Sequence, residues 1–198
     1  ADMSGTGFNR LAGVVLAGGQ GSRMGGQDKG LLSFREAPMI SWTLQQVRPV
    51  VDQLLISCNR NEHLYAGFGE TLVGDRKAGF GGPLAGVEAA LAELDADVSH
   101  LLVLPCDTPL VSQQVLGLLV RHARLYPGHI VFLKTGAREH YLHAIIPACY
   151  RAALEQWLAS GQGAVGRWYR QLPHVALDVS RDSDCLLNFN TPELLAVG

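Results

Sequence analysis

Four short apolar runs recur along the first half of the chain: LAGVVLA (11–17), QLLISC (53–58), TLVGD (71–75) and SHLLVLP (99–105). Near-continuous runs of this length, rich in Val, Leu and Ile, are the pattern of strands buried on both faces. Among them lie stretches with helical spacing, MISWTLQQVRPVV, PLAGVEAALAEL and SQQVLGLLVRHARLY. Strands alternating with helices require right-handed crossovers, and so a parallel sheet with helices on both faces. Further on, HIVFLKT and YLHAIIP are separated only by GAREH, the length of a hairpin rather than a crossover. The expectation is therefore a three-layer α/β fold whose mostly parallel sheet carries one antiparallel strand. Two more helical stretches, YRAALEQWLASG and AVGRWYRQL, precede a strand-like HVALDVS and the segment CLLNFNTPEL, in which TPEL opens a last helix.

The chain has 198 residues, which fits one domain spanning 1–198, and 47% hydrophobic content places it among globular proteins. A net charge of -2 gives no strong pull toward nucleic acid or an anionic membrane. No apolar run approaches the roughly 18 residues of a membrane span. The first ten residues, ADMSGTGFNR, lack the apolar core of a signal peptide. They are expected to form a flexible tail, and the protein to be cytoplasmic. Cys58, Cys106, Cys149 and Cys185 are scattered, with no CxxC pair or metal-ligand spacing, and read as reduced and mostly packed.

The first apolar run leads into AGGQGSRMGGQDKGLL, a glycine-rich segment at the carboxyl edge of the expected sheet, where open α/β folds bind ligands. A P-loop would end in GK[ST], but Lys29 lies between Asp28 and Gly30, so the metal-binding hydroxyl is missing. A dinucleotide fingerprint would read GxGxxG, but Gly19 and Gly21 are followed by Met24, and no acidic residue ends the second run. The chain has three lysines against thirteen arginines, and one of the three sits in this loop. Its compact ammonium suits phosphate oxygens, and Arg23 adds a guanidinium able to bind phosphate through two hydrogen bonds. Glycines, an arginine and a lysine together suggest a long wrap around a triphosphate.

Polar residues close the other runs. Asp107 follows SHLLVLP, with Pro109 where the chain must turn; it is a candidate Mg²⁺ ligand, a hard cation preferring carboxylate oxygen beside substrate phosphates. The plainer alternative is that it caps the turn. Asn59, Asp75, Asn188 and Asn190 also end apolar runs; each could be turn chemistry, yet together they would ring a ligand above one sheet edge. The approach GFGGP, through Gly82, is either a close backbone contact to a ligand or a compact turn with Pro83 at the first helical position. The histidines form no zinc motif, and GxSxG is absent.

LAGGQGSRMGGQDKGLL, ISCNR, GPLAG, PCDTP and NFNTPEL, in this order over nearly the whole chain, resemble the molybdenum cofactor guanylyltransferase family, within the sugar-phosphate-type nucleotidyltransferases. The resemblance implies a Rossmann-like nucleotidyltransferase fold and transfer of GMP from Mg-GTP to the phosphate of molybdopterin or its molybdenum form, releasing pyrophosphate. Carried over position by position, it implies that Leu16, Ala17, Gly18 and Gly19 hold the nucleotide and that Lys29 meets its phosphates, with Arg23 beside it. Asn59 and Asp75 would line the GTP site, with Gly82 a further candidate from its glycine-rich approach, and Asp107 would bind Mg²⁺. Asn188 and Asn190 would face the acceptor, Asn190 being a second candidate metal ligand. The closing motif lacks a second glutamate after TPE, a departure at a helix start. Partners of the cofactor-insertion and molybdoenzyme-chaperone kind are also implied.

The chemistry needs no general base, because a phosphate monoester is already ionised at neutral pH; the protein must align two anions and offset charge. Guanine selection would need an acceptor for N1–H and N2–H₂, for which Asp75 and the Gly81–Gly82 carbonyls are candidates. A cytidylyltransferase acting on molybdopterin or another phosphorylated acceptor is the nearest alternative. Enzymes of that resemblance tend to read LAAG where this chain reads LAGG. A non-catalytic nucleotide-binding protein and a nicotinamide-dependent reductase are more distant alternatives.

Overall fold

The first apolar run becomes an inner strand of a seven-stranded sheet, flanked by strands on both sides. A computed structural model describes residues 7–17, 23–24, 27–76 and 81–189. The sheet and its two small ribbons contain β1 (Arg10–Leu16), β2 (Arg23–Met24), β3 (Gln27–Asp28), β4 (Ser33–Phe34), β5 (Ala37–Pro38), β6 (Gln53–Ser57), β7 (Thr71–Val73), β8 (Val98–Pro105), β9 (Ile130–Thr135), β10 (Arg138–Pro147) and β11 (His174–Asp178). The helices are α1 (Met39–Val47), α2 (Glu62–Ala66), α3 (Pro83–Ala92), α4 (Gln113–Leu125), α5 (Arg151–Ala159) and α6 (Val165–Tyr169). Strand order is β11-β9-β10-β8-β1-β6-β7. Val14 of β1 lies opposite Leu55 of β6 on one side and Val103 of β8 on the other, both in parallel register. Among the described strands of this sheet, β10 alone runs against its neighbours, as the short HIVFLKT–YLHAIIP connection requires. The hairpin turn is tighter than expected, reduced to Gly136 and Ala137, with Gly136 at φ +59.

Alternate side chains of β1 divide the core. Leu11, Val15 and Ala17 join Leu102 and Leu104 of β8 beneath α1 and α4, where Ile40, Leu44, Val115 and Leu119 are fully buried. Ala12, Val14 and Leu16 join Leu101 and Val103 beneath α3, α5 and α6, where Leu84, Leu154 and Trp168 are buried. The architecture is thus the expected three-layer, Rossmann-like α/β fold. Because β1, β6, β7 and β8 are parallel, the segments that follow them all emerge at one edge.

Several features were not foreseen. The segment after β1 is not a plain loop: β2 and β3 pair as a ribbon with Arg23 opposite Asp28. A second ribbon, β4–β5, places Phe34 in a small separate core with Met39 and Phe189. Helix α2 follows ISCNR in a stretch with no clear periodicity. Residues 8–10, expected as part of a flexible tail, are instead tied to the sheet. Phe8 stacks on His100 with ring centroids 4.4 Å apart, Asn9 donates its N–H to Ser99 Oγ at 2.8 Å, and Arg10 begins β1. These contacts form because the start of β8 lies directly beside the start of β1. Residues 1–6 and the expected last helix at TPEL lie outside the described residues. Among the described residues, no helix is long and apolar enough to cross a membrane. The four cysteines are unpaired; Cys58 and Cys106 are buried, whereas Cys149 is exposed.

Candidate active site

Asp107 stands two residues beyond β8, in the turn that leads to α4. Its backbone carbonyl accepts the Phe189 N–H at 2.9 Å, which ties the late NFN segment to the metal-candidate turn. Asn188 is thereby placed beside Asp107, while Asn190 lies outside the described residues. Phe189 secures this arrangement by burying its ring 4.7 Å from that of Phe34. Lys29, returning from the β2–β3 ribbon, brings Nζ to 3.9 Å from Asp107 Oδ2. That separation exceeds hydrogen-bond reach, so the pair is an electrostatic one.

Burial raises the pKa of Asp107, and the Lys29 charge offsets that rise only in part. A desolvated carboxylate with incomplete compensation is a fitting place for a hard cation, which favours the ionised form. Among the described residues no group of three or more His, Cys, Asp and Glu side chains gathers to hold a metal.

A second pair forms where β6 and β7 end. Asn59 Oδ1 accepts the Asp75 N–H at 2.8 Å, so the two residues singled out from separate runs meet directly. Arg76, the next residue, reaches Glu88 of α3 at 2.8 Å and approaches Glu155 of α5 at 3.9 Å. Glu88 is fully buried, and this ion pair holds the chain just beyond Asp75. At the start of α3, Gly82 takes φ +74 and its carbonyl accepts the Ala85 N–H, while Pro83 occupies the first helical turn. The compact-turn reading of this glycine is realised in the backbone.

Between the two pairs lies the end of β1. Leu16 is nearly buried, and Ala17 donates its N–H to the Ser57 carbonyl at 2.8 Å. Gly18 and Gly19 lie outside the described residues, as does the Arg23 side chain; only the Arg23 backbone is placed, in β2.

Sequence reasoning missed a set of supporting side chains. Asn61 donates to Asp28 at 2.6 Å, and His143 pairs its Nε2 with Thr108 Oγ1 at 2.9 Å, directly behind Asp107. His143 reaches that position because β10 slips register between His140, opposite Leu133, and Ala144, opposite Phe132. Strand irregularities of this kind often re-aim a side chain near a functional site. The available signal was two histidines three residues apart in one strand, a spacing that a regular pleat would send to opposite faces.

A model of the MobA-like NTP transferase domain matches residues 13–175. The chain belongs to that family. It is 44% identical to a molybdenum cofactor guanylyltransferase of Ectopseudomonas mendocina, over 92% of this chain and 89% of the relative. It is 33% identical to a molybdenum cofactor guanylyltransferase of Shewanella piezotolerans, over 91% of this chain and 87% of that one. The fold is similar to the crystal structure of molybdopterin-guanine dinucleotide biosynthesis protein A from Archaeoglobus fulgidus, with TM-score 0.79 and 22% identity, covering 94% and 95% of the two chains. In this MobA-like NTP transferase the sheet edge gathers Ala17, Lys29, Asn59, Asp75, Asp107 and Asn188 from five separate segments. A nucleotidyltransferase acting on a phosphorylated acceptor needs such an edge, with cationic and carboxylate groups on one side and amide and carbonyl groups on the other.

Proposed function

We propose that the chain transfers GMP from GTP to the terminal phosphate of molybdopterin, or of its molybdenum form, giving molybdopterin guanine dinucleotide and pyrophosphate. The observation that carries this reading is the convergence of Lys29, Asp107 and Phe189 in a chain 44% identical to a molybdenum cofactor guanylyltransferase. An acceptor phosphate oxygen attacks the α-phosphorus of GTP. A new P–O bond forms, the bond to the bridging oxygen of the β-phosphate breaks, and that oxygen leaves on pyrophosphate.

Lys29 places positive charge against the triphosphate, where charge accumulates on the leaving group. Arg23, on β2 of the ribbon that leads into Lys29, assists it. Leu16, Ala17, Gly18 and Gly19 bring backbone close to the nucleotide, and Asn59, Asp75 and Gly82 shape the side that receives guanine. Asn188 and Asn190 face the acceptor. Asp107, with Asn190 as a second candidate ligand, would hold Mg²⁺, which would supply Lewis-acid polarisation of the α-phosphate when bound. The acceptor phosphate enters ionised, so the chain's residues align and neutralise rather than move a proton.

The test is incubation with molybdopterin and each Mg-nucleotide in turn, followed by identification of the nucleotide on the product. GMP attachment is expected; CMP attachment would replace this reading with a cytidylyltransferase. Lys29→Met and Asp107→Ala should each lower kcat/KM for Mg-GTP about 100-fold or more, on the order of 3 kcal/mol of transition-state stabilisation. Full activity in Asp107→Ala would remove it from the metal site.

A further inference from the structure

We infer that Asn61, at the head of α2, is a positioning residue that sets Lys29 against the phosphates of the nucleotide. The inference rests on the reading of Lys29 given above and extends it to a residue that the triphosphate itself does not meet.

Asn61 does two locally unfavourable things. Its backbone takes φ 56 and ψ 34, the left-handed region, which costs a non-glycine residue free energy even though Asn tolerates it better than most. It also stands at the cap position of α2, where an Asn side chain ordinarily accepts a helix N–H. Here the side chain makes no capping bond, and the Leu64 and Tyr65 N–H groups are met by the Asn61 backbone carbonyl at 2.9 and 3.1 Å. The amide is turned away and donates through Nδ2 to Asp28 Oδ2 at 2.6 Å.

Asp28 is only 4% exposed, and a carboxylate so enclosed needs a donor. It is the last residue of β3 and leads directly into the single turn Lys29–Leu31, which its own side chain does not cap. Fixing the Asp28 carboxylate therefore fixes the chain direction on which the Lys29 side chain starts. One turn into α2, Tyr65 fixes the other side of the same segment. A Cβ at Gly30 would lie 2.9 Å from the Tyr65 hydroxyl, so that ring packs against bare backbone. The hydroxyl points to the Ala17 carbonyl at 3.5 Å, the outer limit of a hydrogen bond. Helix α2 thus touches the glycine-rich segment where it leaves β1 and again where it returns, with Lys29 Nζ held 3.9 Å from Asp107.

Calorimetric binding of Mg-GTP to the full chain tests this, with thermal melting measured alongside. Asn61→Gly retains the left-handed backbone and deletes the amide; it should weaken Mg-GTP binding about tenfold while the KM for the acceptor moves less than twofold. Asn61→Asp, which opposes two carboxylates, should be at least as weak. The exchange Asp28→Asn with Asn61→Asp restores one donor and one acceptor in reversed order, and should recover binding to within about threefold of the parent. Parent-like affinity in Asn61→Gly, or no recovery in the exchanged pair, overturns the positioning role. Lys29→Met separates the two levels. If it binds Mg-GTP as the parent does, the reading of Lys29 falls and this inference with it; if it is weakened while Asn61→Gly is not, only the positioning role falls.

Discussion

At the scale of single residues, the site is held by close packing behind it as much as by the groups that line it. Gly86, the second glycine of GPLAG, shows how. It sits within α3, where replacing Gly by Ala ordinarily gains about 1 kcal/mol of helix propensity. A Cβ there would lie 2.6 Å from Ser57 Oγ and 3.1 Å from Leu16 Cδ2, both nearly enclosed at the ends of β6 and β1. Overpacking of that kind costs about 1–3 kcal/mol, so steric strain outweighs the propensity gain. Gly86→Ala should therefore lower the unfolding free energy by about 1 kcal/mol in urea titration. Pairing it with Ser57→Ala should restore most of the loss, since the nearest obstacle is then gone and neighbouring sites couple. A Gly86→Ala variant more stable than the parent would show that helix α3 can shift away from the sheet. The glycine is thus a packing requirement of the sequence motif, next to Leu16 and one residue from Ala17, rather than a group that meets the ligand.

At the scale of elements, the apolar runs of β1, β6 and β8 were legible because a strand enclosed on both faces has few alternatives, and each became a strand within a residue or two. TLVGD also became a strand, but as the edge strand β7 with Thr71 exposed rather than buried on both faces. The short elements were not legible. In the β4–β5 ribbon, Arg35 and Glu36 form the turn with φ 47 and 69. Two consecutive left-handed residues are the geometry for which Asn-Gly is the usual sequence signal, and RE carries no such signal. The ribbon survives because Phe34 and its partners Met39 and Phe189 are buried beneath it, tertiary packing that local reading does not reveal. The same holds for Asn61 and His143. Their roles depend on partners 33 and 35 residues away in the chain. The strained turn has a consequence. Left-handed backbone costs a non-glycine residue about 1–3 kcal/mol, whereas the Arg35 guanidinium, 5.1 Å from the Phe34 ring centroid, returns about 0.5–1 kcal/mol. Replacing Arg35-Glu36 with Asn-Gly should stabilise the protein by about 1 kcal/mol and raise Tm by about 2–4 °C in calorimetry. An unchanged or lower Tm would mean that the arginine contact outweighs the backbone strain.

At the scale of the whole molecule, both ends of the sheet enclose histidines whose pKa is lowered by burial, and this couples stability to pH. At the end away from the site, His100 stacks on Phe8 and is bonded on both ring nitrogens, to Ser99 Oγ and to the Pro127 carbonyl, each at 2.7 Å. Burial lowers its pKa. At the site end, burial foremost, and then the charge of His140, push His143 down to about 3. The His140 ring stands 6.0 Å from it, and His140 is itself lowered by burial and by Arg138. A histidine whose folded pKa lies below its unfolded value binds fewer protons in the native state, so its contribution is complete above the unfolded pKa near 6.5 and is lost as pH falls toward the folded value. Between pH 7 and pH 5, His143 alone should cost about 2 kcal/mol of unfolding free energy, from about 1.4 kcal/mol for each unit below 6.5. Urea titrations at those two pH values should show a fall of at least this size in the parent. In His143→Gln the fall should be smaller by about 2 kcal/mol, even if the variant starts lower at pH 7 through its altered bond to Thr108. Equal falls in the two proteins would mean that His143 is protonated in the folded state. The slip in β10 would then deliver a cation to the turn behind Asp107, in addition to the Lys29 charge 3.9 Å from its carboxylate.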